Sequence, residues 1–166
     1  MLSILTKKQC ARCLQCCFFE SYDLWETPSI TDETMELIKE HIPGQRFSYE
    51  SGRRLMVYDN KLPDSDIYLC PLLDEEKGCI LGDKKPFECR IFPFKIMRYC
   101  GRLVIVISPI CPEVMKLPMS ELNAECKRLS GTLFAEARRE PQYIRQYEAG
   151  YPILAVENER AAQNYP

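Results

Sequence analysis

Hydrophobic positions follow a helical period in two stretches and a strand-like pattern in others. Met35, Ile38 and Ile42 keep helical spacing, with Thr31 as N-cap, Asp32 and Glu33 at the positive end of the dipole, and Pro43-Gly44 as the stop. A second helix is expected from Ser120 to about Glu140, where Leu122, Cys126, Leu129, Leu133 and Ala137 make one apolar stripe that tolerates Gly131. Between them, Phe94 to Ser108 reads as a β-hairpin turning at Cys100-Gly101. Its second arm, Leu103 to Ile107, is a β-branched run suited to a buried central strand. Arg54 to Tyr58 is a short strand ended by Asp59-Asn60, and Ile67 to Leu69 runs extended into Cys70-Pro71.

Elsewhere breakers dominate. Leu72 to Gly78 forms a loop that delivers Cys79, and Ile80 to Pro86 turns again before Phe87 to Pro93. This middle third shows little apolar periodicity, so packing alone is not expected to hold it. Pro112 suits the first turn of another helix. From Pro141 onward a tail with Tyr143, Tyr147, Tyr151 and Tyr165 is expected to lie across the surface or to fray. The fold class is α+β: a small single domain, 1–166, with a short sheet or hairpin and two or three helices. A cysteine-ligated metal site organises it, with a metal-binding core over about 10–112 and a C-terminal helix and tail over 113–166.

Composition narrows the function classes. With 166 residues, 46% of them hydrophobic, the chain can bury an ordinary core. A net charge of −2 gives no general attraction to nucleic acid or to an anionic membrane. No apolar run reaches the length needed to span a bilayer. Met1 to Lys8 carries too few apolar residues for a signal peptide or an anchor. The expected setting is cytoplasmic, with another protein as partner and neither nucleic acid nor membrane.

Ten cysteines change the picture most. In a reducing compartment clustered thiols point to metal or redox chemistry rather than to disulfides. Cys10, Cys13, Cys16 and Cys17 fall within eight residues, and C-x-x-C spacing closes a tight loop with both side chains on its concave side. Adjacent Cys16 and Cys17 are expected to diverge, which implies two metals, a polynuclear cluster or one spare thiol. Cys126 lies on an apolar helix stripe and Cys100 at a hairpin tip, so both read as bystanders. Cys10, Cys13, Cys16, Cys17, Cys70, Cys79, Cys89 and Cys111 remain as metal ligands, enough for two four-cysteine sites or for one cluster with spare thiols. Structural zinc usually pairs two C-x-x-C knuckles, whereas one C-x-x-C-x-x-C run with a remote Cys-Pro matches bacterial iron–sulfur ligation. An iron–sulfur cluster is therefore favoured over zinc. Lys84, Lys85, Arg90, Lys95, Arg98 and Arg102 make the adjoining stretch basic, and Arg90 beside Cys89 is the first candidate to offset thiolate charge. His41, the only histidine, sits in a helix end where the dipole favours it without a ligand role. The aromatic segment Phe18 to Trp25 is expected to be core and could shield a metal site from water.

Taken together, Cys10-x-x-Cys13-x-x-Cys16-Cys17, Cys70-Pro71, Gly78-Cys79-Ile80, Lys85-Pro86-x-x-Cys89-Arg90-x-Phe92-Pro93 and Cys111-Pro112 resemble the YkgJ-type cysteine-cluster proteins. Members are described as zinc- or iron-chelating and are often labelled iron–sulfur proteins. The resemblance runs from about Cys10 to Pro112, with Lys85-Pro86 where Arg-Pro is common. Flagellin lysine N-methylases contain a similar cysteine domain, which implies an alternative as a cluster-dependent protein-modifying enzyme using S-adenosylmethionine. No glycine-rich strand–turn–helix cradle for that cofactor is seen. Neither a Ser-His-Asp nor a Cys-His arrangement supports catalysis, and Glu20, Asp23 and Glu26 are the acid/base candidates near the cysteine run. The expected function is an accessory, redox or interaction module built on the cysteine centre. A zinc-stabilised scaffold without chemistry is the other alternative.

Overall fold

The computed structural model describes residues 4–20, 26–74 and 76–158. The chain is α+β and divides into two compact units, one spanning Leu5–Arg90 and the other taking the chain from Ile91 onward together with Ile4.

The first unit opens with α1 (Lys7–Cys13), where a loop was expected. The reason is local: Thr6 and Gln9 form a reciprocal capping box, in which the Thr6 hydroxyl accepts from Gln9 N–H and Gln9 Oε1 accepts from Thr6 N–H at 2.8 Å. Strand β1 (Phe18–Glu20) follows, and the rest of the aromatic segment, with Asp23, lies outside the described residues. Helix α2 (Asp32–His41) begins at the expected cap, with the Thr31 hydroxyl accepting from Thr34 N–H. Strands β2 (Phe47–Glu50) and β3 (Arg53–Met56) form a hairpin, of which the sequence pattern showed only the second arm. Strand β4 (Ile67–Leu69) pairs antiparallel with β1, and β5 (Leu73–Asp74) pairs with β6 (Gly78–Cys79). Short helix α3 (Phe87–Ile91) carries the chain through Arg90, the last residue of this unit.

Packing does reach the breaker-rich middle. Ile30, Ile38, Met56, Leu72 and Leu81 are buried together, with Tyr58, Cys70 and Cys79 packed against them. A polar tie joins this core to α3. Arg53 Nε donates to Ser29 Oγ at 3.0 Å, Arg53 also donates to the Thr27 carbonyl, and Ser29 N–H donates to the Glu88 carboxylate. Glu88 precedes Cys89, so the tie fixes the helix that carries that thiol.

The second unit is built on the hairpin of β7 (Phe94–Tyr99) and β8 (Arg102–Ile107), with Phe94 opposite Ile107 and Tyr99 opposite Arg102. Cys100 and Gly101 make the turn, both at positive φ. Helix α4 (Met119–Arg139) packs on β7, β8 and a later strand, and its stripe of Leu122, Cys126, Leu129, Leu133 and Ala137 is buried as expected. After Pro112 there is a single 3₁₀ turn, Val114–Lys116, in place of a full helix.

The tail expectation is overturned. Strand β9 (Ile144–Gln146) runs parallel to β7, and β10 (Ile153–Val156) runs antiparallel to β8, giving the sheet order β10-β8-β7-β9. A lone hairpin leaves unpaired N–H and C=O groups along both outer edges, and these short segments cover them. Tyr143 is buried and Tyr147 lies against Tyr99, with ring centroids 4.7 Å apart. Tyr165 lies outside the described residues.

Candidate metal centre

Cys10 and Cys13 occupy one face of α1 because positions three apart share a helix face. Leu14 then turns left-handed, at φ 54°, and returns its N–H to the Cys10 carbonyl. A 3₁₀ turn, Gln15–Cys17, follows, with Cys17 N–H donating to the Leu14 carbonyl at 2.8 Å. Hydrogen bonding to the neighbouring Cys17 thiol, then burial, and then the charge of Cys17 push the Cys16 thiol far up.

Three further thiols are delivered to the same place. The β1–β4 ladder continues one step, so that Cys70 N–H donates to the Cys17 carbonyl at 2.9 Å. The Leu72 N–H points at the Cys70 sulfur, while burial pushes that thiol up to about 12. Gly78, at φ 81°, makes the turn that sets Cys79 opposite Leu73. Amides of Leu81 and Gly82 point at the Cys79 sulfur, but burial again wins and the thiol is raised. Cys89 on α3 is raised well above its ordinary value, first by burial and then by the charges of Cys70 and Cys16.

Cys16, Cys17, Cys70, Cys79 and Cys89 are reduced thiols, linked by hydrogen bond or by mutual electrostatics within one unit. Lys85 is the cation that faces them, since its charge eases the shifts of Cys16, Cys79 and Cys89. Arg90 instead is exposed, with its guanidinium 5.7 Å from the Phe87 ring centroid. Tyr58 closes another side of the group. Its ring stacks on Phe19 at 4.8 Å, and its hydroxyl is buried with no hydrogen-bond partner among the described residues. Burial, then Cys70, Cys89 and Cys17, push that hydroxyl well up; Thr27 eases the rise without completing a hydrogen bond.

The remaining cysteines differ. Cys10 is exposed and Cys13 half-buried on α1. Cys111 is buried in the second unit, where its carbonyl accepts from Met115 N–H at 3.3 Å. Cys100 is exposed at the hairpin turn, and Cys126 is buried on α4 with its thiol pushed up to about 11 by burial. His41 Nδ1 lies 2.9 Å from the Leu37 carbonyl. Glu20 is exposed and Glu26 half-buried.

Among the described residues, no three Cys, His, Asp or Glu side chains stand in an arrangement that holds one ion. Thiols are by type donors to soft metals, and at Cys16, Cys79 and Cys89 the charge of Lys85 favours the thiolate form that such a metal binds. Comparison with family models, with curated proteins and with solved structures finds no match. Among the described residues, no helix is long and apolar enough to cross a membrane.

Sequence reasoning missed Tyr58 as part of this group and ranked Arg90 above Lys85. A signal for Tyr58 was present. It stands two residues beyond Met56, so strand alternation sends it to the same side as that core residue.

Proposed function

We propose that this protein is a YkgJ-type metal-binding protein with a cysteine-ligated centre in its Leu5–Arg90 unit. Cys16, Cys17, Cys70, Cys79 and Cys89 would hold the metal, with Cys10 and Cys13 of α1 as the adjoining donors. An iron–sulfur cluster is the favoured occupant. It would supply one-electron redox capacity, whereas zinc would supply cross-linking alone. The protein then serves as an accessory or interaction module for another protein in a reducing, cytoplasmic setting. The observation that carries this reading is the gathering of five thiols under backbone amides and Lys85. Burial alone would be an odd fate for so many thiols, because it opposes the thiolate form that gives them chemistry. Binding must displace their protons, so affinity rises with pH below the thiol pKa values.

The test is anaerobic purification from iron-replete cells, followed by absorption spectroscopy and by iron, zinc and sulfide analysis. Visible absorbance with iron and sulfide in matched amounts is expected, and Cys70→Ser should abolish it. Stoichiometric zinc with neither iron nor sulfide would refute the cluster and leave a zinc site. Protein that carries no metal and takes up neither ion would overturn the proposal.

A further inference from the structure

Cys10 and Cys13 are brought together by one element, without help from any distant segment. They stand three positions apart in α1, with Cys10 exposed and Cys13 half-buried. On helical geometry their Cα atoms lie about 5 Å apart, inside the window of about 4.4–6.8 Å that a disulfide spans. The Cβ atoms of such a pair, at about 5–6 Å, stand farther apart than the roughly 3.5–4.5 Å that the bond requires. Tighter winding closes that gap, because a 3₁₀ turn stacks positions three apart directly over one another. The segment that follows, Gln15–Cys17, is already wound in this way. Leu14 joins the two windings from the left-handed region, at φ 54°, and its N–H donates to the Cys10 carbonyl at 3.1 Å. A 3₁₀ turn would take that carbonyl for the Cys13 N–H instead, with poorer hydrogen-bond geometry.

We propose that Cys10 and Cys13 form a reversible dithiol–disulfide pair, oxidised by a small disulfide of the glutathione class, and that closing the bond rewinds the last turn of α1 as 3₁₀ helix. The inference goes beyond the metal-binding reading and needs no metal; at these two sulfurs a disulfide and a bound metal exclude one another. Exposed Cys10 meets the oxidant. Its thiolate attacks one sulfur of glutathione disulfide, a Cys10–glutathione S–S bond forms, the original S–S bond breaks, and one glutathione leaves as thiolate. The Cys13 thiolate then attacks the Cys10 sulfur and expels the second glutathione thiolate. Two electrons pass from the cysteine pair to the glutathione disulfide, and the two thiol protons end on the two glutathione thiols. The structural effect runs through Leu14. Its carbonyl accepts from Cys17 N–H at 2.8 Å, and the Cys17 carbonyl accepts from Cys70 N–H at 2.9 Å, so rewinding α1 pulls on the start of the β1–β4 ladder.

The full chain, stripped of metal by anaerobic chelation, is equilibrated in glutathione buffers of rising disulfide content and then alkylated. Trypsin cuts after Arg12 and chymotrypsin after Leu14, so a Cys10–Cys13 bond leaves residues 9–12 joined to residues 13–14. This linked pair should be the first disulfide within the chain to appear, and excess dithiothreitol should reverse it. In Cys13→Ser, Cys10 should stop at the mixed disulfide with glutathione. Exchange at Leu14 N–H should quicken about tenfold in the disulfide form, while amides of β7 and β8 keep their rates. Cys10 joined first to a different cysteine, or left with Cys13 as thiols while other cysteines oxidise, would overturn the pair. A Cys10–Cys13 bond with unchanged exchange at Leu14 would overturn the rewinding and leave the pair standing. Neither result depends on whether the untreated protein carries metal.

Discussion

At the scale of single residues, opposing influences act on the same sulfurs, and burial decides the outcome. Backbone amides at Cys70 and Cys79 favour the thiolate, as does Lys85 at Cys16, Cys79 and Cys89, yet each of these thiols ends raised. The metal-free protein therefore keeps its protons while an unfolded chain gives them up. For Cys70, raised from 9.0 to about 12, the folded state binds more protons than the unfolded state between those values. Stability from such a group is complete below pH 9 and drains away as pH climbs toward 12. Cys126, raised to about 11 by burial alone, adds to the same loss over a narrower window. Metal-free protein should accordingly melt at steadily lower temperature from pH 9 to pH 11, and Cys70→Ala should flatten part of that slope. A melting temperature independent of pH across this range would contradict the assignment. The thiols themselves were legible at this scale, because cysteines announce themselves by type and spacing. Tyr58 and Lys85 were not, since their relevance depends on distant segments folding beside the thiols.

Among the elements, those that carry their own signals were legible. Helix α2 has a side-chain cap, an apolar period and a Pro-Gly stop, and β7–β8 has a turn residue pair between apolar arms. The stripe of α4 is regular over about four turns. Strands β9 and β10 carry no comparable signal. Three or four residues long, they are strands because β7 and β8 offer open edges, which is information held by another part of the chain. The helical cysteine face of α1 is the opposite case, for Thr6-x-x-Gln9 is a capping box that was readable. Thr31→Ala tests a cap that both sequence and structure identify. It leaves the first turn of α2 without its side-chain acceptor for Thr34 N–H and should cost about 1 kcal/mol in denaturant unfolding. Thr31→Ser should restore most of it, and an unchanged midpoint in the alanine variant would show that water replaces the cap.

For the whole molecule, the two units rest on different amounts of packing. The unit from Ile91 onward buries Phe94, Ile96, Met97, Val104, Ile105, Val106, Ile107 and Leu133 almost completely, around a four-stranded sheet covered by a helix. The Leu5–Arg90 unit has five buried residues in its cluster and three separate two-stranded sheets, each of a kind that is marginal by itself. Its cysteines sit where cross-linking would matter most, on α1, after β4, on β6 and on α3, with long stretches of chain between them. Joining such distant points restricts the unfolded chain and ties sheets that packing binds weakly. Metal removal should therefore act unevenly. Hydrogen exchange measured before and after anaerobic chelation should show amides of Cys70, Leu73, Ile80 and Arg90 losing protection by a factor of ten or more, on the order of the 1.4 kcal/mol that tenfold represents. Amides along β7 and β8 should keep theirs, because apolar burial does not depend on the metal. Leu133→Ala should reverse the pattern, opening a cavity beneath the sheet at a cost of about 2–5 kcal/mol and exposing β7 and β8 first. Equal loss of protection in both units after chelation would mean that the metal does not organise the Leu5–Arg90 unit in particular. No loss in either would mean that its small core suffices.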